Sequence, residues 1–332
     1  NEKLSILNFQ AGTKAKENGA YIKAYEFYNS GLQYLPSNRW NAYYSLTFKL
    51  CSGKATSSFL QGKYKKSESE FSEIIDRCKS NLDIAQVYNT KLTLYLNENR
   101  PIDAYKSGKT ALRFLNVTIT STPKLWKILI EFIKSKINLP KKFMATELNK
   151  FPETKNKEIQ LIIKILMDLT APAYYLDKNL FALICLKTVN ISKTHGNASA
   201  SAHAYVTYGS LLGSIFNDYS LGYKFGILSL NLNKKFNDKI LASKINFIFG
   251  ALINHWTQPA RTSLKYFVEG YKYGVQFGDY TYSGYSALYF IIFQFYLGNP
   301  IPEVVNTIEK YSSFLKSAKD ESVIWSVKLI ED

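Results

Sequence analysis

The stretch Ala24-Tyr25-Glu26-Phe27-Tyr28-Asn29-Ser30-Gly31-Leu32-Gln33-Tyr34-Leu35-Pro36 has helical spacing. Ala24 and Gly31 stand two turns apart on one face, where a partner helix can approach closely, while Tyr25, Tyr28, Leu32 and Leu35 fill the space around them. Pro36 stops the helix because it cannot donate the next backbone hydrogen bond. The arrangement returns as Ser67-x3-Phe71-x2-Ile74-Ile75-x2-Cys78 and as Ala104-x3-Gly108-x2-Ala111-Leu112-x2-Leu115. A polar turn precedes each copy, at Asn18-Gly19, Gln61-Gly62-Lys63 and Asn97-Glu98-Asn99-Arg100-Pro101, and an apolar helix precedes each turn.

This helix, turn, helix unit resembles a tetratricopeptide-like repeat, whose second helix carries a small residue followed four positions later by an aromatic one. More glycine-rich copies follow, Gly222-x3-Gly226-x2-Ser229-Leu230 after Asn217-Asp218-Tyr219, and Ser263-x3-Phe267-x2-Gly270-Tyr271-x2-Gly274 after Gln258-Pro259. A last copy after Gly298-Asn299-Pro300 holds Val304, Ile308 and Tyr311 and suits a terminal repeat. The expected fold is all-α, an α-α solenoid of tetratricopeptide-like helical hairpins wound into a right-handed superhelix. Residues 1–133 would form an N-terminal array, 134–172 a basic connecting region and 173–332 a degenerate C-terminal array. Within the connection, residues 134–157 hold seven lysines against Glu147 and Glu153, together with Pro140 and Pro152. One short helix is expected over 143–149, and a solvated basic linker is favoured there over an acidic docking site.

Of the 332 residues, 46% are hydrophobic, which argues against disorder, and 17 Gly with 9 Pro are too few for a fold of many short strands. The net charge of +16 raises nucleic acid as a partner. The residue types disfavour it: only Arg39, Arg77, Arg100, Arg113 and Arg261 carry the planar fork that reads phosphates and guanines bidentately. Cys51, Cys78 and Cys185 form no CxxC pair and fit a reducing compartment, so a cytoplasmic location is expected. The apolar runs at 245–253 and 287–297 are too short to cross a bilayer, and no membrane span is expected. The chain opens Asn-Glu-Lys without Met or a signal-like apolar run, as expected of a segment of a longer protein.

Chemistry is sparse. Ser107-Gly108-Lys109-Thr110 looks like the end of a phosphate-binding loop, but Asp103 stands where the first glycine belongs and no strand precedes it. His195, His203 and His255 have no metal-ligand spacing, so neither metal nor cofactor is expected. Cys185, within Phe-Ala-Leu-Ile-Cys-Leu, reads as a core residue rather than the nucleophile of a Cys-His pair with His195. Polar and aromatic residues concentrate in the second half, at His203, Tyr219, Phe225, Gln258, Tyr271 and Tyr273 besides the candidate site itself. That site is an inner wall near Tyr205, Tyr208, Tyr223, His255, Trp256 and Arg261, partly exposed along one groove, holding a peptide or small ligand by stacking and a few hydrogen bonds. Filling of repeat interfaces is the competing reading for each of these aromatics.

The run Asn179-Leu-Phe-Ala-Leu-Ile-Cys-Leu-Lys-Thr-Val-Asn-Ile-Ser-Lys-Thr-His-Gly-Asn197, the segment Ser201-Ala-His-Ala-Tyr-Val-Thr-Tyr-Gly209, Gly222-Tyr-Lys-Phe-Gly226, Asn254-His-Trp256 with Arg261, and Gly274-Val-Gln-Phe-Gly-Asp279 also resemble a known family. It is the helical-repeat region of multidomain signalling ATPases that join a serine/threonine-kinase-like domain, a STAND-type AAA ATPase, this region, a GAF domain and a sensor histidine kinase. The likeness extends to Ala11-Gly-Thr-Lys-Ala15, Ala20-Tyr21, Gly31-Leu32, Leu35-Pro36 and Trp40, and is weakest over 134–157. The resemblance implies that ATPase and phosphotransfer residues lie in other domains, and it carries no ligand residues to this segment.

The expected function is therefore that of a non-catalytic regulatory or sensor segment. It would bind a protein, a peptide, the flanking domains of its parent chain or a small-molecule effector, and relay that binding to its neighbours. A passive peptide-docking adaptor is the alternative, and an enzyme of unrecognised type the third reading.

Overall fold

A computed structural model describes residues 2–137 and 152–318, with side chains described as far as Leu315. In chain order its helices are α1 (Glu2–Glu17), α2 (Tyr21–Gln33), α3 (Arg39–Ala42), α4 (Tyr44–Leu60), α5 (Tyr64–Arg77), α6 (Asn81–Asn97), α7 (Pro101–Phe114), α8 (Leu125–Ile137), α9 (Lys157–Asp168), α10 (Thr170–Leu176), α11 (Lys178–His195), α12 (Ser201–Phe216), α13 (Tyr219–Phe236) and α14 (Lys239–Leu252). Two 3-10 turns, Asn254–Trp256 and Ala260–Ser263, precede α15 (Leu264–Phe277), α16 (Tyr280–Tyr296) and α17 (Ile301–Ala318). No strand occurs among the described residues, and one isolated bridge joins Glu153 and Asn197. The chain is all-α, as its periodicity predicts.

The chain divides into two compact units, Asn1–Ser121 with Asp168–Lys178, and Thr122–Met167 with Asn179–Asp332. The expected connection at 134–172 contributes to both: Lys134 and Lys136 lie in α8, Lys157 opens α9, and α10 belongs to the first unit. The short helix expected over 143–149 falls outside the described residues. In the first unit α1 packs on α2, α2 on α4, α4 on α5, α6 on α7, and α10 returns to α7. In the second, α12 packs on α13, α14 on α15, α15 on α16 and α16 on α17.

The residues that set the sequence pattern face inward. Ala24, Tyr28, Leu32, Ser67, Phe71, Ile74, Ala104, Ala111, Leu112 and Phe267 are all buried. Tyr28 shows why small residues recur. Its ring lies between Gly12 of α1 and Gly53 of α4, where an added Cβ would stand 2.8 and 2.6 Å from ring carbons. Gly53→Ala gains helix propensity of up to about 1 kcal/mol, yet the buried ring cannot swing away. A net destabilisation of about 1–3 kcal/mol is expected in urea unfolding. No change or a gain in stability would show that the ring yields.

A second regularity was not legible beforehand. Serine hydroxyls on one helix donate to main-chain carbonyls of another: Ser5 to Gly31 at 2.7 Å, Ser67 to Ala55 at 2.8 Å, Ser107 to Tyr88 at 2.7 Å and Ser243 to Gly270 at 2.7 Å. A hydroxyl is small enough for close helix approach and still satisfies its own polar group.

Left-handed residues make the hairpin turns, at Gly19, Gly62, Asn99, Asn217, Asn237, Gly278 and Gly298. In the second unit three of these are followed by an aspartate whose carboxylate caps the next helix, Asp218 on α13, Asp238 on α14 and Asp279 on α16. At Gln258-Pro259, by contrast, the two 3-10 turns replace a simple hairpin. The side chain of Asn254 ties them together by donating to Thr262 Oγ1 at 2.7 Å and Ser263 Oγ at 3.0 Å.

Helix α12 runs through the middle of the second unit, and every residue from Ser201 to Gly213 is buried. Val206, Leu212, Phe225, Leu228, Ile245 and Phe249 form its core together with Ile163 and Met167 of α9. The stretch Lys157–Leu176, unlike the shorter apolar runs at 245–253 and 287–297, is long and apolar enough to cross a membrane by length and composition. Half of that stretch is buried within the protein itself.

Candidate functional site

The six residues expected to line one groove fall into two different settings. Tyr205 and Tyr208 project from α12 into the core and are fully buried. The Tyr205 hydroxyl donates to Asn197 Oδ1 at 2.8 Å, and the Tyr208 hydroxyl shares a 2.8 Å hydrogen bond with Ser135 Oγ of α8. Phe225 of α13 meets both rings, edge-on to Tyr208 at 4.7 Å and tilted to Tyr205 at 5.8 Å. Burial raises both phenols, Tyr208 to about 12. The expectation of partial exposure fails for this pair because α12 is enclosed from Ser201 to Gly213 and both hydroxyls find partners inside the protein, Tyr205 on nearby Asn197 and Tyr208 on Ser135, 73 residues away. Ser135 also accepts, through its carbonyl, the Lys193 ammonium at 2.6 Å, and burial pushes that lysine down to about 8.

Tyr223, His255, Trp256 and Arg261 lie nearer the surface. Tyr223 is half-buried, its ring tilted at 5.7 Å from Phe249. His255 and Trp256 sit on the first 3-10 turn and Arg261 on the second. Trp256 is 58% exposed and stacks on Tyr219 at 5.3 Å with 26° between the planes. His255 packs beside it at 4.9 Å and meets Phe293 edge-on at 5.6 Å. Its Nδ1 is buried without a partner among the described residues, and burial lowers its pKa against an opposing hydrogen bond to the backbone of Gly250. Arg261 is exposed and makes no ion pair among the described residues. The local chemistry is an open indole face on a braced turn with a guanidinium on the adjoining one, suited to stacking and directed hydrogen bonding.

The remaining polar and aromatic residues serve other places. Tyr271 meets Tyr311 and Phe314 at 4.8 and 5.1 Å in the last hairpin. His203 is buried in α12 with its Nδ1 unpartnered among the described residues and is pushed down to about 3 by burial, with a smaller contribution from Lys244. Cys185 is wholly buried and raised to about 12, which leaves it a poor nucleophile at neutral pH. Gly108, in the phosphate-loop lookalike, lies inside α7, where an added Cβ would meet Leu92 and Leu169. Among the described residues no group of three or more His, Cys, Asp or Glu side chains could hold a metal ion.

Sequence reasoning missed a cleft of about 270 Å³ walled by α13, α14 and α15. Asn233, Asn246, Glu269 and Tyr273 line it, with Lys234 and Lys239 at its exposed rim. These residues come from three helices, and only the pairing of those helices brings them together.

No protein-family model matches the chain. Over 340 aligned residues it is 22% identical to hybrid signal transduction histidine kinase G of Dictyostelium discoideum, a match that covers 94% of this chain and 10% of that protein. The chain therefore spans about a tenth of the length of the relative it resembles, and it aligns there almost end to end.

Proposed function

We propose that this chain is a regulatory helical-repeat segment of a multidomain signalling protein, with no catalytic activity of its own. The near-complete alignment of the chain with one tenth of a hybrid signal transduction histidine kinase carries this reading. A segment of that size within a signalling kinase has neighbours to act on. The finer fold is a tetratricopeptide-like superhelix, supported by the burial of the repeated small and aromatic positions and by the left-handed residues at the hairpin turns. The parent protein would combine a STAND-type ATPase with a histidine kinase, and a peptide, protein or small-molecule effector would bind the segment. Binding would favour one curvature of the stacked hairpins and shift the population of active neighbouring domains.

Autophosphorylation and ATP hydrolysis of the full-length parent chain, measured with and without residues 1–332, test the relay. A coupling of about 1–3 kcal/mol corresponds to a change of about 5–150-fold in an equilibrium, so a change of about fivefold or more in either activity is expected. Equal activities would leave the segment as a passive docking adaptor. Turnover by the isolated segment would instead make it an enzyme.

A further inference from the structure

The cleft between α13, α14 and α15 sets carboxamides and Glu269 on its walls and the Lys234 and Lys239 side chains at its rim. Asn233 is 9% exposed, and its Oδ1 is buried with no hydrogen-bond partner among the described residues. Asn246 is equally buried, and its Nδ2 donates to the Ala242 carbonyl at 2.8 Å, which leaves its Oδ1 without a bond among the described residues. Glu269 is half-buried and forms no ion pair among the described residues, although the chain carries 42 Lys and Arg. Asp238, the other carboxylate of the cleft, is already committed, accepting from Leu241 N at 3.0 Å and from Ser199 Oγ at 2.5 Å. Tyr273 supplies a half-buried aromatic wall, with the Lys239 ammonium 5.7 Å from its ring centre.

Three unused groups are thus acceptors: two carboxamide oxygens and one carboxylate. Of these only Asn233 Oδ1 is a buried acceptor without a donor among the described residues, which is costly, and a ligand that brings a donor removes that cost. Asn246 Oδ1 and the Glu269 carboxylate reach solvent. Against Asn233 Oδ1 and Glu269, phosphate, carboxylate and nucleic-acid ligands offer oxygens to oxygens, while the Lys234 and Lys239 ammonium groups stand at the exposed rim. A peptide offers backbone N–H groups, and the carboxamide of Asn233 has the donor and acceptor complement of a peptide group. The volume lies below the roughly 300–1,000 Å³ of pockets that enclose a drug-sized ligand, so it fits a short stretch of a longer chain.

We propose that this cleft binds an extended peptide segment bearing a lysine or arginine, whose backbone pairs with Asn233 and Asn246 and whose cation pairs with Glu269 beside the Tyr273 ring. The proposal rests on the reading of this chain as a partner-binding segment. Its sign is opposite to the long-range field, because a net charge of +16 by itself draws acidic ligands.

The test uses the whole 332-residue chain and pools of end-capped hexapeptides with randomised flanks and a fixed third residue of Arg, Lys, Ala or Glu. The Arg and Lys pools are expected to bind about tenfold more tightly than the Ala and Glu pools, as befits a charge-assisted hydrogen bond. Glu269→Gln should abolish that preference, and Asn246→Ala should weaken binding of every pool; both variants should keep the parent unfolding midpoint. Equal binding of the pools, a preference for Glu, or an unchanged preference in Glu269→Gln overturns the proposal. Displacement of the Arg pool by an equal concentration of spermidine would assign the cleft to a free polyamine and overturn the peptide reading. A changed kinase activity on deleting the segment, without peptide binding, would refute the cleft and keep the regulatory role. Peptide binding with unchanged activity would do the reverse.

Discussion

Gly222→Ala is expected to destabilise the second unit by about 3 kcal/mol, the upper end for a methyl forced into a packed interior. The Cβ would stand 2.6 Å from the carbonyl oxygen of Gly209, and an added Cβ at Gly209 would stand 2.7 Å from the carbonyl oxygen of Gly222. Both obstacles are backbone atoms of paired helices, so no side-chain rotation relieves them. Gly213→Ala is the comparison within the same interface. Its Cβ would meet only the ring of half-buried Tyr219, at 3.2 Å, and that ring has room to give. The expected result is a large drop in the urea midpoint for Gly222→Ala and a drop of less than about 1 kcal/mol for Gly213→Ala. Equal midpoints for the two variants would rule out the close backbone contact as the cause.

Acid should weaken the protein through His203. The imidazole is buried and its Nδ1 has no partner among the described residues, so burial holds its pKa near 3, below the ordinary value of 6.5. The unfolded chain therefore takes up the proton first as pH falls. Stability from this group is complete above about pH 6.5 and is lost progressively down to about pH 3, a total on the order of 5 kcal/mol. His203→Gln keeps a polar side chain and removes the titration. Its curve of unfolding free energy against pH should be flatter than the parent's over that interval, and parallel curves would exclude His203 as the source. Lys193 acts in the same direction at the alkaline end. Its folded pKa near 8 lies below the ordinary 10.5, so stability rises with pH between those values.

The repeat was legible because its positions obey local geometry. Ala24, Tyr28, Ser67 and Phe71 are spaced by the helix itself, and burial at those positions follows from the pairing of neighbouring helices. The left-handed turn residues were legible at Gly19, Gly62, Asn99 and Gly298 for the same reason. Tyr205 and Tyr208 lie in the core because polar-aromatic character does not by itself mean a wet surface. The signal that would have placed them is the absence of any Asp, Glu, Lys or Arg from Gly196 to Asn217, since a helix without a charged face is enclosed. The bonds that make their burial tolerable reach to Asn197 and, across 73 residues, to Ser135, and no local pattern reports the second. Of the candidate site, Trp256 and Arg261 lie exposed, whereas Asn233, Asn246 and Glu269 each read in the sequence as an ordinary helix residue.

The return of α10 to α7 gives the first unit an obligatory order of events. Leu169 is wholly buried and lies 2.7 Å from where a Cβ of Gly108 would stand, over the same face that holds Leu92. The ribosome delivers α1 to α7 long before that lid, and the intervening residues 122–167 belong to the other unit. A nascent chain halted near residue 133 therefore carries an uncovered apolar surface, a natural substrate for a chaperone, and the unit closes only after residue 178 has emerged.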